Sequence, residues 1–123
     1  MALHTQLPIH KAGSQLLGLT AKIHTQMGRG YKRTVGDKIV NHCAEMLDLM
    51  ALANSTKHGQ RAIHIREILT HNRAATVWLR VGFDLKEVSP KLWAESVQML
   101  DSIGKQASGW LSNTQSRAKA PAA

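Results

Sequence analysis

Apolar residues recur every three or four positions in four separate segments of the chain, the spacing that places side chains on one face of an α-helix. The first segment begins near Pro8 and ends before Gly28, the second spans 34–54, the third spans 60–87, and the fourth begins at Ser89. No segment shows the alternation of a β-strand. Because the connections are short, neighbouring helices are expected to run antiparallel, and the pattern predicts an all-α, up-down-up-down four-helix bundle.

Each predicted helix carries one stripe of mainly apolar residues that is expected to face the core. In the third helix the steps alternate between three and four residues, which is the heptad spacing of a packed seam. The predicted stripes, helix by helix, are Ala12, Leu16, Leu19, Ile23 and Met27; Ile39, Cys43, Met46, Met50 and Ala53; Ala62, Ile65, Leu69, Asn72, Thr76, Leu79 and Phe83; and Leu92, Ser96, Met99, Ile103, Ala107 and Trp110.

The third helix also carries apolar residues away from its seam, which indicates a second buried face. Ile63, Ile68 and Trp78 lie off the seam, and Trp93 follows the first stripe residue of the fourth helix. In a bundle of four helices a second buried face usually meets another subunit. These four residues are therefore predicted to form an oligomer interface, with packing at the edge of the bundle as the alternative for the two tryptophans.

The chain has 123 residues, which is enough for one domain with one core and too few for two. The predicted domain covers residues 1–112. Residues 113–123 combine Ser, Ala and Lys with Pro121 and are predicted to form a disordered tail.

The charge of the chain favours a bundle that binds a polyanionic partner. Sixteen Lys and Arg residues stand against eight Asp and Glu residues, a net charge of +8, and the first acid is Asp37. A helical bundle with such a surface favours binding to a nucleic acid, RNA or DNA. A basic protein without a polyanionic partner is the alternative.

The connection between the first two helices is the densest cationic segment. It is called the basic turn below and comprises Arg29, Tyr31, Lys32, Arg33 and Lys38. Its glycines allow a close backbone approach, its cations attract phosphate, and Tyr31 can stack on a base. The alternative is a solvated loop whose tyrosine packs on the end of the bundle.

The third helix adds Arg61 and a row of arginines at intervals of seven residues, Arg66, Arg73 and Arg80. Successive members lie about 10 Å apart along the helix, within reach of alternate phosphates of one strand. The alternative is that they pair with acids of the bundle. For Arg80 this alternative is favoured because Asp84 lies one turn away, whereas for Arg66 and Arg73 both interpretations stay open.

Other chemistry is not indicated. Cys43, the only cysteine, falls in a core stripe and is interpreted as a core residue in a reducing, cytoplasmic compartment. His64 and His71 are about 10 Å apart along a helix, too far for one metal ion. We expect no enzyme, because catalytic motifs are absent, and no metal or cofactor. No segment has the ~20 apolar residues of a membrane span.

Five segments in order resemble one known family. They are Leu7–Ile9, 31–39, Ala53-Asn54, 79–86 and 103–110, of which the second reads Tyr-Lys-Arg-Thr-Val-Gly-Asp-Lys-Ile and the last reads Ile-Gly-Lys-Gln-Ala-Ser-Gly-Trp. Over residues 7–111 the chain resembles the four-helix-bundle proteins that include the accessory variability determinant of diversity-generating retroelements and the proteins encoded in ribosomal RNA intervening sequences. Ser108 departs from the family's Gly-Gly-Trp ending, and the His-rich third helix departs from the family's Leu/Glu-rich one.

The resemblance implies a non-enzymatic accessory protein that assembles as a homopentameric ring with a positive surface. Such a protein binds the reverse transcriptase and its template RNA and supports mutagenic cDNA synthesis and retrohoming. The basic turn and the arginines of the third helix, Arg61, Arg66 and Arg73, are the expected contact residues. The alternative within the same family is a structural or protein-interaction module of the intervening-sequence type.

Overall fold

The computed structural model describes residue 3 and residues 7–119, apart from the side chains of His58, Ala118 and Lys119. The described chain forms four helices and no strand, which confirms the all-α prediction. Helix α1 is Pro8–Gln26. Helix α2 starts as Arg29–Tyr31, passes through a π-helical turn at Lys32–Gly36 and continues as Asp37–Ser55. Helix α3 is His58–Asp84, and helix α4 is Pro90–Lys119. None of these helices is long and apolar enough to cross a membrane.

The four helices bury one shared core. Helix α3 packs against α2 and α4, and α1 packs against the same two helices. The predicted stripe of α2 is confirmed in full, because all five of its members are at most 1% exposed. Large side chains from all four helices are fully buried, including Leu16, Ile23, Met46, Ile65, Leu79 and Ile103.

The predicted seam of α3 is wrong in part. Ile68 and Ala75 are fully buried, whereas Thr76 is exposed and Leu69 and Phe83 are only half-buried. The reason is geometric: a straight α-helix has 3.6 residues per turn and drifts away from a strict heptad line, so the buried positions are 68 and 75 and not 69 and 76. Asn72 lies at one border of this face, where its Nδ2 donates a hydrogen bond to the Leu100 carbonyl oxygen at 2.9 Å.

Ile68 therefore drops out of the predicted oligomer interface. Its side chain is 0% exposed within a single chain and belongs to the core. By contrast, Ile63 is 52% exposed, and Trp78 and Trp93 are half-buried. Trp93 stacks on Phe83 with ring centroids 4.5 Å apart, so part of its surface is used within the chain.

Helix α4 extends beyond the predicted domain boundary at residue 112. The predicted tail is wrong for residues 113–119, which are helical, and residues 120–123 lie outside the described part. Thr114 explains the extension, because its side chain is only 5% exposed and the helix still has a packed face at that point. Composition alone predicted a tail because Ser, Asn and Thr are also common in loops.

The turn between α3 and α4 is a Schellman motif. The amide of Glu87 donates to the Gly82 carbonyl oxygen, and the amide of Lys86 donates to the Phe83 carbonyl oxygen, both at 2.9 Å. Lys86 holds the left-handed position of the motif, with φ of 63°. Glycine is the usual residue at such a position because a Cβ atom is strained there.

We predict that Lys86→Gly raises the free energy of unfolding by about 1 kcal/mol, since it relieves this strain and keeps the amide donor. Urea denaturation measures the effect. The matched control is Lys22→Gly, an exposed position inside α1, where glycine is expected to lower stability by about 1 kcal/mol. A loss of stability in both variants would contradict the strain at Lys86.

Candidate nucleic-acid interface

The basic turn is helical, not a loop. Gly28 is the N-cap of α2, Arg29–Tyr31 form its first residues, and the π-helical turn Lys32–Gly36 follows. Helix α2 therefore begins five residues before the predicted start at residue 34. The Thr34 hydroxyl donates to the carbonyl oxygen of Gly30 at 3.3 Å, within the helix. The glycines on either side of Arg29 suggested a loop, but packing against α1 and α3 supplies the stability that the local sequence lacks.

Gly36 lets the start of α2 approach the end of α1 closely. A Cβ atom at this position would lie 2.7 Å from Cδ2 of His24 and 3.0 Å from Sδ of Met27, so a larger residue would require the side chain of His24 to shift. Beside this contact, Nε2 of His24 and Oδ1 of Asp37 are 2.8 Å apart. Asp37, the only acid within residues 28–38, is thus bound by His24 of α1 and not by a cation of the basic turn.

Glu87, in the turn between α3 and α4, binds the N-cap residue of α2. Its Oε1 accepts a hydrogen bond from the Gly28 amide at 2.7 Å, which joins the α3–α4 turn to the α1–α2 turn. A carboxylate at a helix N-terminus also interacts favourably with the helix dipole. These two contacts hold the basic turn in one position relative to the end of the bundle.

The cations of the basic turn face solvent without acid partners. Arg29, Arg33 and Lys38 are exposed and Lys32 is half-buried, and within the described residues none of them makes an ion pair. Tyr31 is 41% exposed. Lys38 lies over the Trp78 ring at 5.8 Å from its centroid, which places the basic turn beside α3.

The three arginines spaced seven residues apart on α3 divide into two cases. Arg66 and Arg73 are exposed and have no ion pair among the described residues. Arg80 donates to Oδ1 of Asp84 at 3.0 Å, which confirms the predicted internal pair, and it also lies 5.9 Å from the Trp93 ring centroid. Of the three arginines in this row, Arg66 and Arg73 are therefore the two without an ion pair among the described residues.

Arg61 makes hydrogen bonds within the chain, and its role in binding phosphate stays a prediction. Its Nε donates to the Ala53 carbonyl oxygen at 2.8 Å and its Nη2 to the Asn54 carbonyl oxygen at 3.3 Å. These carbonyls belong to the last turn of α2, where backbone acceptors lack helical partners. Arg61 thus caps α2, at the opposite end of that helix from the basic turn.

The structure also contains a histidine pair that the sequence did not reveal. Nδ1 of His42 on α2 and Nδ1 of His71 on α3 are 2.9 Å apart, in a partly buried position. Burial is the main cause that lowers the pKa of His42, and the nearby His71 and Lys38 add to it, while Glu45 opposes it. No pattern within one helix could predict this pair, because it depends on the register between two helices.

Cys43 is buried, as predicted, and burial raises the pKa of its thiol to about 11. The thiol is therefore protonated at neutral pH and is a core group. Among the described residues, no group of three or more His, Cys, Asp or Glu side chains is placed to hold a metal ion.

Comparisons of the chain with protein-family models, with curated proteins and with solved structures found no match. Within the residues that the structure describes, the geometry defines a helical bundle whose cationic surface at one end has no acid partners. Its function is argued below from that surface.

We predict that the lowered pKa of His42 makes stability depend on pH. Because the pKa of His42 is lowered on folding, the unfolded chain binds more protons below pH 6.5, and stability falls as the pH decreases from about 6.5 toward the folded pKa. Above pH 6.5 the contribution of His42 is fully present. Urea denaturation at pH 7.5 and 5.5 measures the difference.

In the variant His42→Gln this contribution disappears, so the decrease in stability between the two pH values is expected to be smaller than in the native chain. An equal decrease in the variant and the native chain would show that His42 titrates as it does in the unfolded state.

Proposed function

We propose that the protein binds single-stranded nucleic acid, RNA above all, through the basic turn together with Arg66 and Arg73. One observation carries the proposal: apart from the half-buried Lys32 these cations are exposed, and none of them makes an ion pair among the described residues. An unpaired guanidinium or ammonium group retains its charge for a phosphate, and arginine binds phosphate through two parallel hydrogen bonds. The exposed face of Tyr31 offers a surface on which a base stacks.

The resemblance in five segments supports a narrower proposal. In it, the protein is the accessory subunit of a diversity-generating retroelement, binds the reverse transcriptase and its template RNA, and supports mutagenic cDNA synthesis. Its helices run antiparallel in an up-down-up-down bundle, and five copies form a ring. Five copies at +8 each carry a charge of +40, a strong field for RNA. The protein supplies no catalytic group and needs no cofactor in this proposal.

We predict that a single-stranded RNA binds the native chain with an affinity that falls steeply with salt, and that Lys32→Ala, Arg33→Ala and Arg66→Ala together weaken it. If each side chain neutralises one phosphate, the slope of log affinity against log salt becomes flatter by about 2, since single strands contribute about 0.7 per phosphate. Fluorescence anisotropy at several salt concentrations measures both quantities.

The matched control removes three exposed cations elsewhere: Lys11→Ala, Lys22→Ala and Lys91→Ala. It changes the net charge equally, so any difference between the two triple variants reports position and not charge alone. Equal losses in both variants would remove the basic turn and Arg66 from the proposed interface. A native chain whose affinity does not depend on salt would contradict the proposed function itself.

A second candidate, a protein-interaction module, is favoured by exposed apolar residues on α3. Ile63 is 52% exposed and Val77 is 61% exposed, and they lie fourteen residues apart, about four helical turns, on the same side of the helix. Side chains of this kind suit a contact with another subunit or partner. In the ring proposed above they supply a contact between copies, together with Trp78.

We predict that the native chain forms an oligomer of five 13.5 kDa copies and that Ile63→Asp with Val77→Asp shifts it toward the monomer. An aspartate in the contact would leave a buried, unpaired charge. Light scattering coupled to size exclusion measures the mass. The control is Leu52→Asp, an exposed residue of α2 that is 47% exposed. A monomeric native chain, or an unchanged mass in the double variant, would contradict the contact.

A further inference from the structure

A groove of about 430 Å³ runs between α3 and α4. Helix α3 contributes Leu69, Asn72 and Arg73 to it, and α4 contributes Leu100, Gly104 and the ion pair of Asp101 with Lys105. The volume lies within the range of about 300–1,000 Å³ that is typical of small-ligand sites. The two helices thus bring apolar, hydrogen-bonding and charged side chains together in this groove.

The groove combines three kinds of surface. Leu69 and Leu100 provide an apolar floor. Asn72 uses its Nδ2 to bind the Leu100 carbonyl oxygen, which fixes the amide and leaves its Oδ1 as an acceptor without a partner among the described residues. Arg73 lies at the edge, exposed and free of ion pairs, whereas Lys105 is 3.2 Å from Asp101 and shares its charge with that carboxylate.

Gly104 keeps this groove open. A glycine inside a helix lowers stability by roughly 0.5–1 kcal/mol relative to alanine, so its presence calls for a reason. Packing within the chain does not provide one: a Cβ atom there would meet only Oδ1 of Asn72 within 4 Å, at 3.6 Å, which is an ordinary contact. A longer side chain at residue 104 would instead extend into the groove.

We propose that this groove holds one unpaired nucleotide of the bound strand. The inference rests on the proposed nucleic-acid function and deepens it by naming where a base is received. The base lies on the leucine floor and donates an N–H to Oδ1 of Asn72, and Arg73 binds the adjoining phosphate. In a duplex the bases are stacked and paired, so the groove selects single strands. Charge complementarity with phosphate at Arg73, and the apolar floor, are what fit this ligand.

Gly104→Leu tests the proposal by filling the groove without changing the charge. The matched control is Gly109→Leu, since Gly109 lies in the same helix, is exposed, does not line the groove and has no neighbour within 4 Å. The probe is a ten-nucleotide single-stranded RNA that carries 2-aminopurine, with a duplex of the same sequence as a second ligand. Circular dichroism checks that both variants fold, and Gly104→Met, whose unbranched side chain also extends beyond Cβ, serves if the leucine variant does not fold.

We expect Gly104→Leu to weaken binding of the single strand about tenfold and to abolish the fluorescence change of the buried base, with the duplex affinity unchanged. Gly109→Leu is expected to behave like the native chain. If the two leucine variants bind the single strand equally well, with native affinity, the groove proposal is overturned while the nucleic-acid function stands. If the native chain binds neither ligand, the proposed function fails and the groove proposal fails with it.

Discussion

The shortage of acids is the constraint on which the functional surface depends. Eight acids face sixteen lysines and arginines, and four of the eight are already bound: Asp37 to His24, Asp84 to Arg80, Asp101 to Lys105, and Glu87 to the amide of Gly28. Since none of these four bonds neutralises a cation of the basic turn, that turn keeps its charge. An isolated surface ion pair contributes little to stability. The main consequence of this arrangement is therefore the positive electrostatic field of the lysines and arginines of the basic turn.

The fold places that charge through close packing and not through salt bridges. Gly36 allows α2 to start directly against the end of α1, and Glu87 binds the first amide of α2 from the α3–α4 turn. A π-helical turn lies between these two contacts, and such turns are frequent at functional sites. The basic turn is therefore carried by helical backbone, which loses less conformational freedom when a ligand binds than a flexible loop would.

The sequence predicted those structural features that depend only on the spacing of residues within a single helix. The stripe of α2 was predicted in full because its 3.6-residue period is undisturbed, and the Arg80–Asp84 pair followed from i,i+4 spacing. Ile68 was misplaced because a straight helix of 3.6 residues per turn departs from the heptad line that was assumed for α3. The hydrogen bonds of Arg61 to the end of α2, and the contacts between His42 and His71 and between Asn72 and Leu100, depend on the register between helices, which no single segment encodes.

The central claim is that unpaired cations at the start of α2 and along α3 bind phosphate, and hydrogen–deuterium exchange of the full chain with and without a single-stranded RNA tests it most directly. Exchange of backbone amides reports where a ligand restricts opening of the helices. The account predicts slower exchange at residues 28–38 and in the part of α3 around Arg66 and Arg73, and loss of this protection at high salt. Protection confined to α1, or protection that is insensitive to salt, would contradict it.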